Sequence, residues 1–151
     1  MYEENEHIES AEEELKRADH LVFVSLKYTR TVDVMKNAIK RMINAFELAF
    51  DETLEVARKK KRIFDVPQTG KEKAAEIRDL LGNPVKKYLM LYNLLKKIDK
   101  AEYSALEEFR KNVTLRMQNG KEEMDVKMDD LYRFLAGTKE FVSFIKQEQK
   151  K

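Results

Sequence analysis

Cysteine and tryptophan are both absent from the 151 residues. Without cysteine there can be no disulfide and no thiolate chemistry, which suits a reducing interior. The four glycines stand alone at 70, 82, 120 and 137, so they build neither a phosphate-cradling loop nor a dinucleotide fingerprint. Histidine occurs twice. Glu4 and His7 have the Glu-x-x-His spacing of di-metal helical bundles, but the second copy such centres need is missing. His20, beside Asp19 on a flank of the first helical segment, reads as a surface residue rather than a catalytic one. No metal and no cofactor is therefore expected. Neither sign of charge dominates, since 30 Lys+Arg face 28 Asp+Glu for a net charge of +2, and any basic surface must be local. No run approaches the roughly 18 apolar residues of a membrane span. The opening Tyr2-Glu3-Glu4-Asn5-Glu6 is acidic where a signal peptide needs a basic start. The expectation is one cytoplasmic domain over residues 1–151 that does not engage a membrane; abundant Lys and Glu without Cys or Trp also suit a thermophile.

What is present is helical rhythm. Ser10-Ala11-Glu12-Glu13 has the form of a capping box, and Ile8, Ala11, Leu15, Ala18 and Val22 share one face, widened by Leu21, Ser25 and Leu26. This first helix ends near Tyr28, and a turn is expected at Thr31, whose hydroxyl can cap a new start. From Val32 the apolar residues Met35, Ile39, Met42, Phe46, Ala49, Thr53 and Val56 follow in steps of three and four. Ile43, Phe50, Leu54 and Ala57 thicken that seam into a stripe wide enough for neighbours on two sides. This second helix would span about 45 Å if it ran to Arg62. Ile63 to Pro67 connects it to a short helix that opens on the box Thr69-Gly70-Lys71-Glu72 and stops at Gly82. Asn83-Pro84 caps the next helix, which runs on Val85, Tyr88, Leu89, Tyr92, Leu95 and Ile98 and either breaks near Asp99 or continues through Ala101, Leu106 and Phe109.

Residues 113 to 128, VTLRMQNGKEEMDVKM, break the rhythm. Apolar and polar residues alternate on both sides of Asn119-Gly120, the strongest short hairpin signal. A two-residue loop there pairs Leu115 with Met124, Val113 with Val126 and Arg116 with Glu123, leaving one mismatch, Met117 opposite Glu122. Val113, Leu115, Met117, Met124, Val126 and Met128 form the apolar face, a candidate docking surface. The last helix starts at Asp129 or Asp130, carries Leu131, Phe134, Leu135, Thr138, Phe141, Val142 and Ile145 inward, and should fray from Lys146. The fold class expected is mainly α: four main helices and one short helix in a bundle, with a two-stranded antiparallel β-hairpin at about 112–128 before the C-terminal helix.

Arg58-Lys59-Lys60-Lys61-Arg62 is the densest charge in the chain. The run can complement the negative end of the second helix or bind phosphates, with Lys71, Lys73, Lys86, Lys87, Lys96, Lys97 and Lys100 as further cations if they fold beside it. Tyr88 and Tyr92 could stack bases, although their spacing is that of core residues. Glu47, Asp51 and Glu55 form a row that reads as a solvated face rather than a catalytic one.

The stretch ELKRADHLVFVSLKYTRTVDVMKNAIKRMINAFELAFDETLEVA, Glu14 to Ala57, resembles the first two helices of HEPN-type bundles. The resemblance spans under a third of the chain and implies a small helical bundle that dimerises. Catalytic members of that group are metal-independent ribonucleases with an Arg, four to six residues, then a His. No Arg here precedes a His at that spacing; Arg110 is followed by Asn112, Arg116 and Met117. The functional expectation is thus a non-enzymatic, self-associating interaction module, in the form of a homodimer. RNA or DNA binding through the basic end of the second helix is the alternative, and a degenerate HEPN-type ribonuclease a further one.

Overall fold

A computed structural model describes residues 10–151. These residues fold as five helices with a three-stranded antiparallel sheet before the last. Helix α1 covers 11–28, helix α2 Val32–Lys59, helix α3 Gly70–Leu81, helix α4 Lys86–Lys100 and helix α5 Met128–Gln149. Strands β1 (Glu102–Leu106), β2 (Thr114–Asn119) and β3 (Glu122–Val126) lie in that order in the sheet. Among the described residues no helix is long and apolar enough to cross a membrane.

Helix α2 is the centre of the bundle and packs against α1, α3, α4 and α5. The wide stripe read from its sequence is accordingly buried, apart from Val56, which is 37% exposed at the C-terminal end. The four helices around it use the stripe up. Phe46, Phe50, Tyr92 and Phe141 meet at its middle, with Phe46 stacked on Phe141 at 4.7 Å between ring centres. Ring pairs at this spacing add to simple burial.

The caps explain the helix starts. In α1 the Glu13 amide donates to the Ser10 hydroxyl at 3.1 Å and the Ser10 amide to the Glu13 carboxylate at 3.0 Å. Thr31 accepts from the Val34 amide at 3.3 Å, so the chain turns at 29–31 rather than bending. Glu108, distant in sequence, accepts from the Val32 amide at 2.8 Å and adds a second cap to α2. Thr69 accepts from the Glu72 amide at 3.1 Å. Asn83 does not cap α4; its side chain accepts from Arg78 at 2.9 Å, and Pro84 sits in a 3₁₀ turn, Asn83–Val85, that leads into the helix.

The structure departs from the expected elements at further points. Helix α2 stops at Lys59, about 42 Å long at 1.5 Å per residue, and not at Arg62. Helix α1 contains a π turn, Leu21–Ser25, whose wider spacing keeps Val22 and Leu26 inward and turns Phe23 and Val24 outward. Helix α5 runs unbroken to Gln149, and its start at Met128 takes that residue out of the hairpin. The sheet has a third strand, because α4 ends at Lys100 and the chain turns extended at Ala101.

The hairpin is where it was expected, but its register differs. The loop residues are Gly120 and Lys121, and Gly120 has φ +66°, as a turn with glycine at its first central position requires. Moving the turn by one residue shifts the pairing by two, so every side chain keeps its face. Leu115 now faces Val126, Met117 faces Met124 and Arg116 faces Asp125. The clash of Met117 with Glu122 disappears, and Arg116 binds Asp125 with two hydrogen bonds of 2.8 and 3.1 Å. Cross-strand chemistry outweighed the Asn-Gly preference for a turn with two positive φ values.

Candidate nucleic-acid interface

The basic run forms the end of α2 and the turn that closes it. Lys61 has φ +61°, the left-handed conformation usually taken by glycine after a helix, at a cost of about 1–2 kcal/mol. The Arg62 amide donates to the Ala57 carbonyl at 2.9 Å and the Lys61 amide to the Arg58 carbonyl at 3.0 Å. This pair of bonds satisfies carbonyls that a helix end leaves open. The cations are therefore carried on a hydrogen-bonded scaffold and not on a loose loop.

All five side chains are exposed. Arg58 pairs with Glu55, and its guanidinium holds the Glu55 carboxyl below its ordinary range. Lys59, Lys60, Lys61 and Arg62 have no carboxylate within 4.0 Å among the described residues. Lys60 and Arg62 line a small cleft of about 150 Å³ together with Val56, Leu80, Leu81, Glu148 and Lys151. Ile63 and Val66 of the following connector pack against the core, while Phe64 between them is 93% exposed. Phe64 was passed over in the sequence as part of a connector; an aromatic residue two places after a basic run was the available signal.

The other lysines do not extend the run as one surface. Lys73, Lys96 and Lys97 are neutralised by Asp51, Glu47 and Glu122 at 2.7, 3.4 and 2.7 Å. Lys100 lies at the far end of α4, next to Asp99, which Lys40 from the first half of α2 contacts at 3.1 Å. Lys71, Lys86 and Lys87 remain exposed, with Lys87 over the Tyr88 ring.

The apolar hairpin face is consumed inside the molecule. Val113, Leu115, Met117 and Val126 are buried, and Met124 and Met128 pack against the same core. The sheet has two outer strands, β1 and β3, and residues 102–105 of β1 are exposed.

The remaining polar clusters join helices. The row on α2 is not simply solvated: Glu47 accepts from the Tyr92 hydroxyl at 2.6 Å, Asp51 binds Lys73, and Glu55 binds Arg58. Burial and then Glu47 push the Tyr92 phenol far above its ordinary pKa, so it stays a donor. Gly70 lets α3 start directly on this pair, since a Cβ there would overlap the Tyr92 hydroxyl and stand 2.7 Å from Glu47. Tyr92 is thus a core residue and Tyr88 a half-buried one. His20 is exposed, and Glu4 and His7 lie outside the described residues. Among the described residues no three His, Asp or Glu side chains are placed to hold a metal ion.

Among the described residues Glu14 is the one buried acid, 3% exposed, on the inner face of α1 where the helical pattern alone suggests an apolar residue. It accepts from Asn44 at 2.8 Å, from Arg17 at 2.7 Å and from Arg41 at 3.3 Å. Burial pushes its pKa up, but these three donors together outweigh burial and hold it below the ordinary carboxylate value. A depressed folded pKa stabilises the native state above the unfolded value, and that contribution is lost as pH falls through the folded one. Denaturation midpoints measured down a pH series should therefore show the wild type losing its advantage over Glu14→Gln progressively as pH falls below about 4.3, the value of a free Glu. Parallel curves would contradict this assignment.

No protein family, curated protein or solved structure matches the chain.

Proposed function

We propose that the protein is an interaction module that grips RNA or DNA by its phosphates with the basic end of α2. One observation carries the reading: Lys60, Lys61 and Arg62 are consecutive, exposed and without a carboxylate within 4.0 Å among the described residues, on a turn fixed by backbone hydrogen bonds. Cations held this way release condensed counterions when they meet phosphates, so binding should weaken steeply with salt. The interior polar groups support a binder rather than a catalyst, because Glu14 and Glu47 are committed to neighbouring helices. The resemblance of residues 14–57 to HEPN-type bundles, whose catalytic members act on RNA, leans the same way.

Changing Arg58, Lys60 and Arg62 together to Glu should abolish binding and flatten its salt dependence in a fluorescence-anisotropy titration. All three are exposed, so the variant should still fold, with a melting temperature lowered somewhat by acids at the C-terminal end of α2 and by the loss of the Arg58–Glu55 pair. An affinity unchanged by the triple variant would refute the reading.

A homodimer is the second reading, and the outer edge of β1 favours it. The wide stripe of α2 no longer does, since the bundle covers it. An uncovered strand edge presents backbone donors and acceptors that a second chain can pair with. Light scattering should then give twice the monomer mass at micromolar concentration; a clean monomer across that range would remove the dimer.

A further inference from the structure

We infer that the basic end of α2 selects single-stranded over duplex nucleic acid, with Phe64 as the surface on which one base stacks. The inference rests on the nucleic-acid reading above and specifies its substrate. Phe64 is the most exposed of the large apolar side chains among the described residues. Burying a phenyl ring stabilises a protein by roughly 1.5–3 kcal/mol, so leaving it in water runs against the folding preference. The connector had the means to cover an apolar side chain, as Ile63 and Val66 on either side of Phe64 pack against the core. Those two anchors fix the backbone that carries the exposed ring.

Placement relative to the cations gives the ring its ligand. Phe64 follows Arg62 by two residues, a span of at most about 7 Å between the two Cα atoms. A strand whose phosphates contact Lys61 and Arg62 therefore brings its bases within reach of the ring. Asp65 follows on the other side and repels phosphate, which directs the backbone towards the Arg62 side. In a duplex the faces of the bases are covered by their neighbours, and only the phosphates are offered. The cations thus serve both forms, whereas Phe64 serves only the single strand.

The chain has no tryptophan, so Phe64→Trp introduces a single tryptophan at the proposed contact, excitable apart from the six tyrosines. Titration with a short oligouridylate should quench its emission, and titration with a short RNA duplex should not. Phe64→Ala should weaken oligouridylate binding by about 5- to 150-fold and leave duplex binding unchanged, while Phe64→Trp restores the single-strand affinity. Equal loss for both forms, no loss for either, or unquenched emission while oligouridylate binds would each overturn the inference. In those cases the triple Glu variant of Arg58, Lys60 and Arg62 still tests phosphate binding separately. Wild-type protein that binds neither these RNAs nor single-stranded and duplex DNA of the same length overturns the nucleic-acid reading, and the inference falls with it.

Discussion

Leu115→Lys should abolish the cooperative thermal transition followed by circular dichroism. Leu115 is fully buried in the central strand β2, between Ala105 of β1 and Val126 of β3. A lysine there must bury an unpaired ammonium or pull the strand out of the core, and an uncompensated buried charge costs about 3–5 kcal/mol. Lost packing of the leucine adds to this, and the sum is comparable with the whole stability of a typical domain, about 5–15 kcal/mol. The neighbouring residue is the control. Arg116 points to the other face, and although it holds Asp125 bidentately, the two side chains are 38% and 34% exposed. Water screens such a pair, so Arg116→Ala should melt close to the wild type. A Leu115→Lys protein that melts like the wild type would mean that β2 does not line the core.

Phe46→Ala should lower stability by about 3–5 kcal/mol, read as a reduced urea midpoint with an unchanged slope. Phe46 is fully buried at the middle of α2, with Phe141 at 4.7 Å, Tyr92 at 5.6 Å and Phe50 at 6.2 Å between ring centres. Three rings from three helices lean on one side chain, and rings cannot reshape to fill the space that a truncation leaves. The cost should therefore fall in the upper part of the range for large-to-small changes, where cavities stay open. Val56→Ala, on the same helix but more than a third exposed, should change the midpoint little. A loss below about 1 kcal/mol for Phe46→Ala would show that the aromatic cluster can close over the gap.

These two residues also show how readable the fold was. Phe46 lies in a seam of three- and four-residue steps, and Leu115 in a strict alternation, so periodicity alone assigns both to the interior. The register around Leu115 was less legible. Asn119-Gly120 points to one turn and the pairing of Arg116 with Asp125 to another, and the choice depends on contacts across the ribbon. Strand β1 was not legible at all. Glu102 to Leu106 shows no alternation because it is exposed on both faces, and its strand character comes from pairing with β2. The candidate site divides the same way. Five consecutive cations are plain in the sequence, whereas the exposure of Phe64 and the neutralisation of Lys73, Lys96 and Lys97 depend on distant residues.

Local chemistry, by itself, determined the helices, their caps at Ser10, Thr31 and Thr69, the stop at Gly82 and the position of the hairpin. Each of these follows from contacts within a few residues, where spacing is set by 3.6 or 2 residues per repeat. Only the tertiary structure decided that α2 is covered on all its apolar sides, that Glu14 is held by Arg41 and Asn44, and that β1 joins the sheet. It also decided that Lys60, Lys61 and Arg62 stand without an ion-pair partner among the described residues and that Phe64 is left exposed. Partners distant in the chain set burial and charge neutralisation, and no local pattern encodes the distance between them.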